Sequence, residues 1–244
     1  GELKEEYAAR QPYGEWLDGN LLSLNDLPLP NHAIPPLEQT ARDRLYKAFG
    51  YTYEDVKEVI PEDAIIFTDV GWNKNGVAQE FDITVPGTIH HSSGLATMGF
   101  GASAVLGGKL AAPDKIVLTL TGDGGFGINP SCLAAAVEHG IACTWVVMNN
   151  AAFGTIAGLE NANYKTKFGT VFYDANGERY TPSWADVAKA YGVDSIRCST
   201  ADEFKPALEK AQFSVSTFAK KEGLTGHARS VDIRFDPKVA EGTK

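Results

Sequence analysis

The residues that could do chemistry are concentrated in a glycine-rich stretch, GDGGFG at positions 122–127, and in an asparagine pair further along the chain. Asp123 offers a hard carboxylate oxygen, Asn150 offers a neutral amide oxygen, and a backbone carbonyl that follows could offer a third. Oxygen ligands of this kind suit Mg²⁺, which takes its remaining ligands from water and phosphate groups. The backbone N–H groups of Gly124 and Gly125 could hold phosphate oxygens near a helix start. These residues therefore indicate a site for a metal ion and a diphosphate.

Two apolar runs position these residues. Residues 116–120 precede the glycine-rich stretch and residues 141–148 end directly before the asparagine pair, so both runs predict buried strands. A helix is predicted between the two runs: Asn129 and Pro130 predict its start, and Gly140 predicts its end. The carboxyl ends of parallel strands, where open α/β sheets bind ligands, would then carry the polar residues.

The same glycines allow a second interpretation. Gly122, Gly124 and Gly127 match the G-x-G-x-x-G pattern of a Rossmann nicotinamide site. Asp123 disfavours this interpretation, because its carboxylate would repel a pyrophosphate unless a cation lay between them. The next strand also ends in asparagine instead of the acidic residue that binds a ribose. A purely structural role stays open, in which Asp123 caps a helix and Asn150 satisfies loop backbone.

The remainder of the chain extends the α/β pattern. Strands are predicted at residues 64–68, 193–197 and 230–235, helices at residues 94–112, 181–192 and 200–211, and turn or loop structure at residues 69–73, 74–93 and 151–180. The predicted fold class is α/β, with a parallel sheet covered by helices on both faces. Residues 61–244 would form this domain, and residues 1–60 a separate helical and loop extension, since the composition changes near residue 60.

Bulk composition excludes several classes of function. The chain has 244 residues and a formal net charge of −9, with scattered basic residues, so a nucleic-acid partner is not expected. No apolar run is long enough for a membrane span, and a membrane partner is not expected either. The three cysteines are far apart in the sequence, which is typical of reduced thiols. The charged N-terminus lacks a signal-peptide pattern, so a cytoplasmic location is expected.

Three motifs, in the same order along the chain, resemble the C-terminal cofactor-binding domain of acetolactate-synthase-like enzymes, which bind thiamine diphosphate. They are DVGWNKNG at 69–76, SGLATMGFG at 93–101, and GDG at 122–124 followed by the asparagine pair. The resemblance covers roughly residues 61–211, and more faintly 230–237. It implies an α/β thiamine-diphosphate-binding domain of the pyrophosphate-binding type.

The resemblance also implies a role for each matching residue. Mg²⁺ would be bound by the side chains of Asp123 and Asn150 and by the backbone carbonyl of Ala152. Two sets of residues, at the ends of two strands, would line the site of the diphosphate. They are Val70, Gly71, Trp72 and Asn73 in the first set, and Gly122, Gly124 and Gly125 in the second. Met98 would wedge beneath the bent cofactor, and backbone groups of Ala96 and Met98 would bond its aminopyrimidine. Trp72 replaces the polar residue common in the family, so its side chain is expected to shape the pocket; His90 and His91 are expected to be solvated loop residues.

An activating glutamate is missing from this set. In the family it lies on a separate pyrimidine-binding domain, and no glutamate of this chain can be assigned that role. The resemblance therefore implies the cofactor-binding half of a decarboxylase or carboligase that acts on a 2-oxo acid, with pyruvate as the expected substrate. A partner chain would carry the other domain, in a dimer or larger assembly. The alternatives are a non-catalytic thiamine-diphosphate-binding module and a Rossmann NAD-binding oxidoreductase.

The N-terminal segment carries a weaker likeness of its own. Residues 11–17 and 48–55 resemble linker segments from the middle of glutamate synthase large chains. These segments bring no catalytic residue, so glutamate synthase activity is not inferred from them. The tail after Ala211 departs from the acetolactate-synthase-like pattern.

Overall fold

The computed structural model describes residues 55–200, 202–211 and 229–234. All of these residues belong to one compact unit, Pro35–Lys244. Most of the predicted N-terminal extension and residues 212–228 lie outside the described residues, so the boundary at residue 60 and the glutamate synthase likeness stay predictions. Within the described ranges, no helix combines the length and apolar character needed to cross a membrane.

One sheet of six parallel strands organises the described residues, in the spatial order β2-β1-β3-β4-β6-β5. The strands are β1 (Ile65–Thr68), β2 (Ile89–His91), β3 (Val117–Gly122), β4 (Thr144–Asn149), β5 (Asp194–Cys198) and β6 (Arg229–Arg234). Every residue of β4 is buried, as expected for a central strand with both faces covered. The predicted parallel α/β fold is therefore confirmed, including a strand close to residues 230–235.

Helices cover both faces of the sheet. They are α1 (Trp72–Glu80), α2 (Phe100–Ala111), α3 (Asp123–Ile128), α4 (Cys132–Glu138), α5 (Gly154–Tyr164) and α6 (Trp184–Ala190), with further helical residues at 55–59 and 202–211. Alternate strand residues feed two separate cores. Leu120 and Val146 belong to the core that contains Phe204, whereas Trp145 and Val147 belong to the core that contains Leu133.

The order of the strands creates a switch point beside β1. The chain continues from β1 through α1 to β2 on one side, and then through α2 to β3 on the other side. A crevice opens outside the carboxyl ends of the strands where the direction of winding reverses, and ligands of open α/β sheets bind there. The segments that follow β1 and β3 are the two that carry the DVGWNKNG and GDG motifs.

Two predicted loops contain regular structure and were wrong in that respect. Residues 74–93 hold most of α1 and all of β2, and residues 151–180 hold α5. Helix α1 buries Asn73, Gly76 and Val77, and α5 buries only Ala157, so neither helix has the apolar spacing that predicts a helix from sequence. The predicted turn at residues 69–73 is likewise shorter, because α1 begins at Trp72.

Two predicted helices begin later than expected, and so does the helix predicted over residues 181–192, which begins at Trp184. The helix predicted over residues 94–112 begins at Phe100, because Gly94, Ala96 and Gly99 have positive φ angles that a right-handed helix excludes. The helix predicted from Asn129 begins at Cys132. A separate short helix, α3, occupies the glycine-rich stretch itself, and it begins at Asp123.

Candidate functional site

One cavity lies at the carboxyl ends of β1, β3 and β4. Four parts of the chain line it: the turn after β1 with the start of α1, Met98 before α2, the glycine-rich start of α3, and the end of β4 with the turn into α5. Of the residues predicted for the site, those that line the cavity are Val70, Gly71, Trp72, Asn73, Met98, Gly122, Asp123, Gly124, Gly125, Asn150 and Ala152. The fold therefore brings together residues that are distant in the sequence, at the switch point of the sheet.

Asp123 is a buried carboxylate without a partner. Its side chain is 2% exposed, and both carboxylate oxygens are buried and accept no hydrogen bond of normal geometry. Burial raises the pKa of this carboxyl from 3.8 to about 6, against the opposing effect of nearby backbone N–H groups, chiefly that of Gly124. Buried polar groups are normally hydrogen-bonded, and buried charges are paired or coordinate metals. This carboxylate therefore has the properties of a ligand for a cation.

The turn after β4 presents amide and carbonyl groups to the same cavity. The side-chain oxygen of Asn150 accepts a hydrogen bond from the N–H of Ala152 at 3.1 Å. Ala152 also forms an antiparallel bridge with Val171, whose two hydrogen bonds are made by the neighbouring residues Ala151 and Phe153. These neighbours use the groups that face Val171, so the backbone groups of Ala152 point to the other side, where Asn150 lies. Asn150 and Ala152 both line the cavity and can offer neutral oxygens to a ligand.

Two glycines allow the segments around the cavity to approach each other closely. A Cβ atom on Gly124 would lie 2.7 Å from the Phe153 ring and 3.3 Å from the Met98 methyl carbon. A Cβ atom on Gly71 would lie 3.0 Å from Thr155 Oγ1, and Gly71 has a φ of +86°, which side chains disfavour. Close approach of backbone is what a diphosphate needs when it is held by main-chain N–H groups.

Comparison of the chain with known protein families identifies the family that has this set of cavity residues. The family model described as "Thiamine pyrophosphate enzyme, C-terminal TPP binding domain" matches residues 69–223, which is more than half of the chain. The chain belongs to this family. Every residue that lines the cavity lies within the matched range. Thiamine pyrophosphate and thiamine diphosphate are the same cofactor, so the predicted family is confirmed.

Individual relatives support the same placement. A probable acetolactate synthase large subunit from Methanocaldococcus jannaschii is 35% identical over 193 residues, which are 77% of this chain and 30% of that protein. A 3D-(3,5/4)-trihydroxycyclohexane-1,2-dione hydrolase from Bacillus velezensis is 31% identical over 170 residues, which are 69% of this chain and 27% of that protein. The chain therefore spans less than a third of the length of these relatives.

A solved structure shows the same fold. The Rhodococcus jostii RHA1 thiamine diphosphate-dependent 4-hydroxybenzoylformate decarboxylase superposes with a TM-score of 0.63 at 20% sequence identity. The match covers 77% of this chain and 32% of that chain. This likeness shows that the described part of the chain shares the fold of that domain.

The residues of this thiamine pyrophosphate enzyme domain fit a metal and a diphosphate. The unpartnered Asp123 carboxylate supplies a charge, and Asn150 and Ala152 supply neutral oxygens. Among the described residues, no group of three or more His, Cys, Asp and Glu side chains is placed to hold a metal ion. A cation at Asp123 would therefore need amide, carbonyl and diphosphate oxygens as its other ligands, and this set suits Mg²⁺.

Asp69 is a cavity residue to which sequence reasoning gave no role. It directly follows β1, and its carboxylate accepts hydrogen bonds from the N–H groups of Val70 at 2.8 Å and Gly99 at 3.0 Å. Gly99 caps α2, so Asp69 satisfies the N-terminus of that helix from a different segment. A Cβ atom on Gly125 would lie 2.9 Å from the Asp69 carboxyl carbon. Asp69 thus connects three segments of the site.

Further cavity residues also escaped sequence reasoning, which treated the segment after Asn150 as a loop. They are Met148, which lies within β4, and four residues of that segment, Phe153, Gly154, Thr155 and Ile156. For residues 153–156 the signal was the position of their segment directly after a strand end that carries a predicted metal ligand. Such segments border the ligand in α/β folds.

Three residues considered from the sequence lie away from the cavity lining. Ala96 is partly buried with a φ of +48° and does not line the cavity. His90 and His91 lie on strand β2, so the predicted loop was wrong, but both are exposed, which confirms that they are solvated. The His90 ring stacks on Phe67 with ring centroids 4.9 Å apart, and its Nε2 lies 2.9 Å from the carbonyl oxygen of Gly87. These contacts give His90 a packing role.

Proposed function

We propose that this chain is the cofactor-binding part of a thiamine-diphosphate- and Mg²⁺-dependent enzyme that decarboxylates or joins 2-oxo acids. The observation that carries the proposal is the buried Asp123 carboxylate, which has no partner from the described residues and lies in a glycine-lined cavity with Asn150. Pyruvate is the proposed substrate, because acetolactate synthase large subunits are among the relatives.

Each segment of the cavity has a proposed task. Asp123, Asn150 and the Ala152 carbonyl bind Mg²⁺, and the backbone of Gly71, Gly122, Gly124 and Gly125 holds the diphosphate, together with the Val70–Asn73 turn. Met98 supports the bent cofactor through its side chain, and backbone groups of Ala96 and Met98 bind the aminopyrimidine. When bound, thiamine diphosphate supplies an electron sink for the carbanion that decarboxylation leaves.

The proposal includes a partner for this domain. No glutamate of the described residues lines the cavity, so the group that activates the cofactor is proposed to come from a pyrimidine-binding domain on another chain. The proposed assembly is a dimer or larger oligomer in the cytoplasm. The same observation favours a second candidate, a module that binds thiamine diphosphate and catalyses nothing alone.

Calorimetric titration of the full chain with thiamine diphosphate tests the proposal. With Mg²⁺ present, we expect saturable binding, and with EDTA we expect an affinity at least about 100-fold lower, because the diphosphate then faces a buried carboxylate. Asp123→Ala should lose the metal dependence. Asp114→Ala removes an exposed aspartate instead and should bind like the wild type. An affinity that ignores both the metal and the Asp123 substitution would contradict the proposal.

A second experiment separates enzyme from module. A candidate partner that carries a pyrimidine-binding domain is mixed with the loaded chain and pyruvate, and release of CO₂ is measured. Turnover that requires both chains and disappears with Asp123→Ala supports the enzyme. Tight cofactor binding without turnover in the mixture supports the non-catalytic module.

A further inference from the structure

Besides Asp69, whose hydrogen-bond partners belong to the fold, one polar side chain of the cavity has no role in the proposed function. Thr155 is the second residue of α5, and its hydroxyl oxygen is buried and has no hydrogen-bond partner. A buried hydroxyl without a partner destabilises a protein, and such groups call for an explanation. Within the described residues, Asp123 and Thr155 are the two cavity-lining residues with buried side-chain oxygens that lack a partner.

The position of this hydroxyl points to a phosphate oxygen. It faces the turn after β1, since a Cβ atom on Gly71 would lie 3.0 Å from Thr155 Oγ1. The left-handed glycine therefore leaves a narrow space beside the hydroxyl. The Asp123 carboxylate, which also lines the cavity, needs a cation, whereas the Thr155 hydroxyl can donate a hydrogen bond to an anion. A metal diphosphate combines both charges and would satisfy both groups.

The start of α5 adds donors at the same place. The first hydrogen bond of this helix joins the Ala157 N–H to the Phe153 carbonyl at 2.9 Å. The N–H groups of residues 154–156 therefore lie outside the helical pattern, and the first turn contains no acidic residue. An anion that accepts the Thr155 hydroxyl proton would also lie at the positive end of the helix dipole.

We propose that the Thr155 hydroxyl donates a hydrogen bond to a diphosphate oxygen of thiamine diphosphate and is a side-chain determinant of cofactor affinity. This inference rests on the proposed function, because it needs the cofactor to occupy the cavity. It assigns a side chain on α5 to the diphosphate, in addition to the glycine backbone groups after β1 and β3.

Binding to Thr155→Val in the full chain tests the inference, since valine has nearly the same shape and lacks the hydroxyl. We expect the Kd for thiamine diphosphate in Mg²⁺ to rise about 10-fold or more, because hydrogen bonds to charged groups are the strong ones. Thr155→Ser keeps the hydroxyl and should stay within about 3-fold of the wild type. Titration with Mg²⁺ and inorganic pyrophosphate should show the same ranking, because the contact is to the diphosphate.

Thermal unfolding without cofactor provides the independent readout. Thr155→Val should melt at the same temperature as the wild type or higher, because it removes a buried group that has no partner. A lower melting temperature would mean that the hydroxyl stabilises the protein itself, and would overturn the inference. Equal Kd values for wild type and Thr155→Val would overturn it while leaving the proposed function intact. A wild-type chain that binds no thiamine diphosphate would instead refute the proposed function and, with it, this inference.

Discussion

Two buried carboxylates follow parallel strands that lie side by side in the sheet, and they differ in their hydrogen-bond partners. Asp69 follows β1 and is 1% exposed, and Asp123 follows β3 and is 2% exposed. Burial raises the pKa of both carboxyl groups. Asp69 nevertheless accepts hydrogen bonds from Val70 and Gly99, whereas Asp123 accepts none of normal geometry.

This difference separates a carboxylate whose charge the fold satisfies from one that accepts no hydrogen bond of normal geometry. The partners of Asp69 come from its own turn and from the N-terminus of α2, where a negative charge is favourable. Its charge is therefore satisfied by the fold. Burial alone does not distinguish the two sites, since the exposed fractions are almost equal. The number of hydrogen-bond partners does distinguish them. It predicts that replacing Asp69 and replacing Asp123 have opposite effects on the stability of the protein without ligand.

The largest expected effect is that of Asp69→Ala. The substitution leaves the N–H groups of Val70 and Gly99 without an acceptor, and each unsatisfied buried group costs about 1–3 kcal/mol. We expect the free energy of unfolding, measured by urea denaturation, to fall by about 3 kcal/mol or more. Asp69→Asn retains one acceptor oxygen and should recover part of the loss. A stability equal to that of the surface control Asp114→Ala would show that Asp69 does not connect the segments.

Asp123→Asn should act in the opposite direction in EDTA at pH 8. The variant replaces an ionised, buried and unpartnered carboxylate by a neutral group of the same shape. The pKa of Asp123 is raised from 3.8 to about 6, and each unit corresponds to about 1.4 kcal/mol, so the gain could reach about 3 kcal/mol. Urea denaturation of both proteins provides the measurement.

The pH dependence of this gain follows from the direction of the shift. The folded state binds the proton more tightly than the unfolded state, so the wild type loses stability as the pH rises from about 4 to about 6. Above that window the penalty is constant. The advantage of Asp123→Asn should therefore be full at pH 8 and absent near pH 4. A variant that is less stable than the wild type at pH 8 would mean that the carboxylate has a stabilising partner.

The sequence predicted the part of the site that depends on strand ends. Residues 116–120 and 141–148 are continuous apolar runs, and the polar residues that follow them, Asp123 and Asn150, therefore had to meet at one edge of a parallel sheet. The glycine pattern alone allowed a nicotinamide site. The aspartate within it decided against that interpretation, because a carboxylate needs a cation to coexist with a diphosphate.

The sequence could not predict contacts made by segments without a periodic apolar pattern. Helix α5 buries only Ala157 and exposes Ile156 and Leu159, so its first turn, with Thr155, looked like a loop. The role of Asp69 depends on Gly99, which is distant in sequence and meets it through the packing of α2 beside β1. Such partners are fixed by tertiary contacts, and local propensity carries no information about them.

Gly125→Ala should have a smaller effect, because it crowds the Asp69 carboxylate without removing it. Its Cβ atom would lie 2.9 Å from the Asp69 carboxyl carbon and 3.0 Å from Thr121 Oγ1, so the site must shift, at a cost of about 1–3 kcal/mol. Gly107→Ala is the matched control, because a Cβ atom there meets nothing within 4 Å and α2 should gain about 0.5–1 kcal/mol. Differential scanning calorimetry should therefore show opposite shifts in Tm for the two variants.

Combining Gly125→Ala with Asp69→Ala tests whether the Asp69 carboxylate is the group that Gly125 accommodates. In the Asp69→Ala background the closest obstacle to the new Cβ atom is gone, so the loss caused by Gly125→Ala should shrink by about 0.5 kcal/mol or more. In the Asp123→Asn background the same loss should stay unchanged, because Asp123 is not among the three nearest groups that the Cβ atom would meet. Equal losses in all three backgrounds would mean that Thr121 limits the space at Gly125. Coupling to Asp69 alone would show that the two carboxylates, although they line one cavity, are energetically separate: one belongs to the fold and the other is free for the ligand.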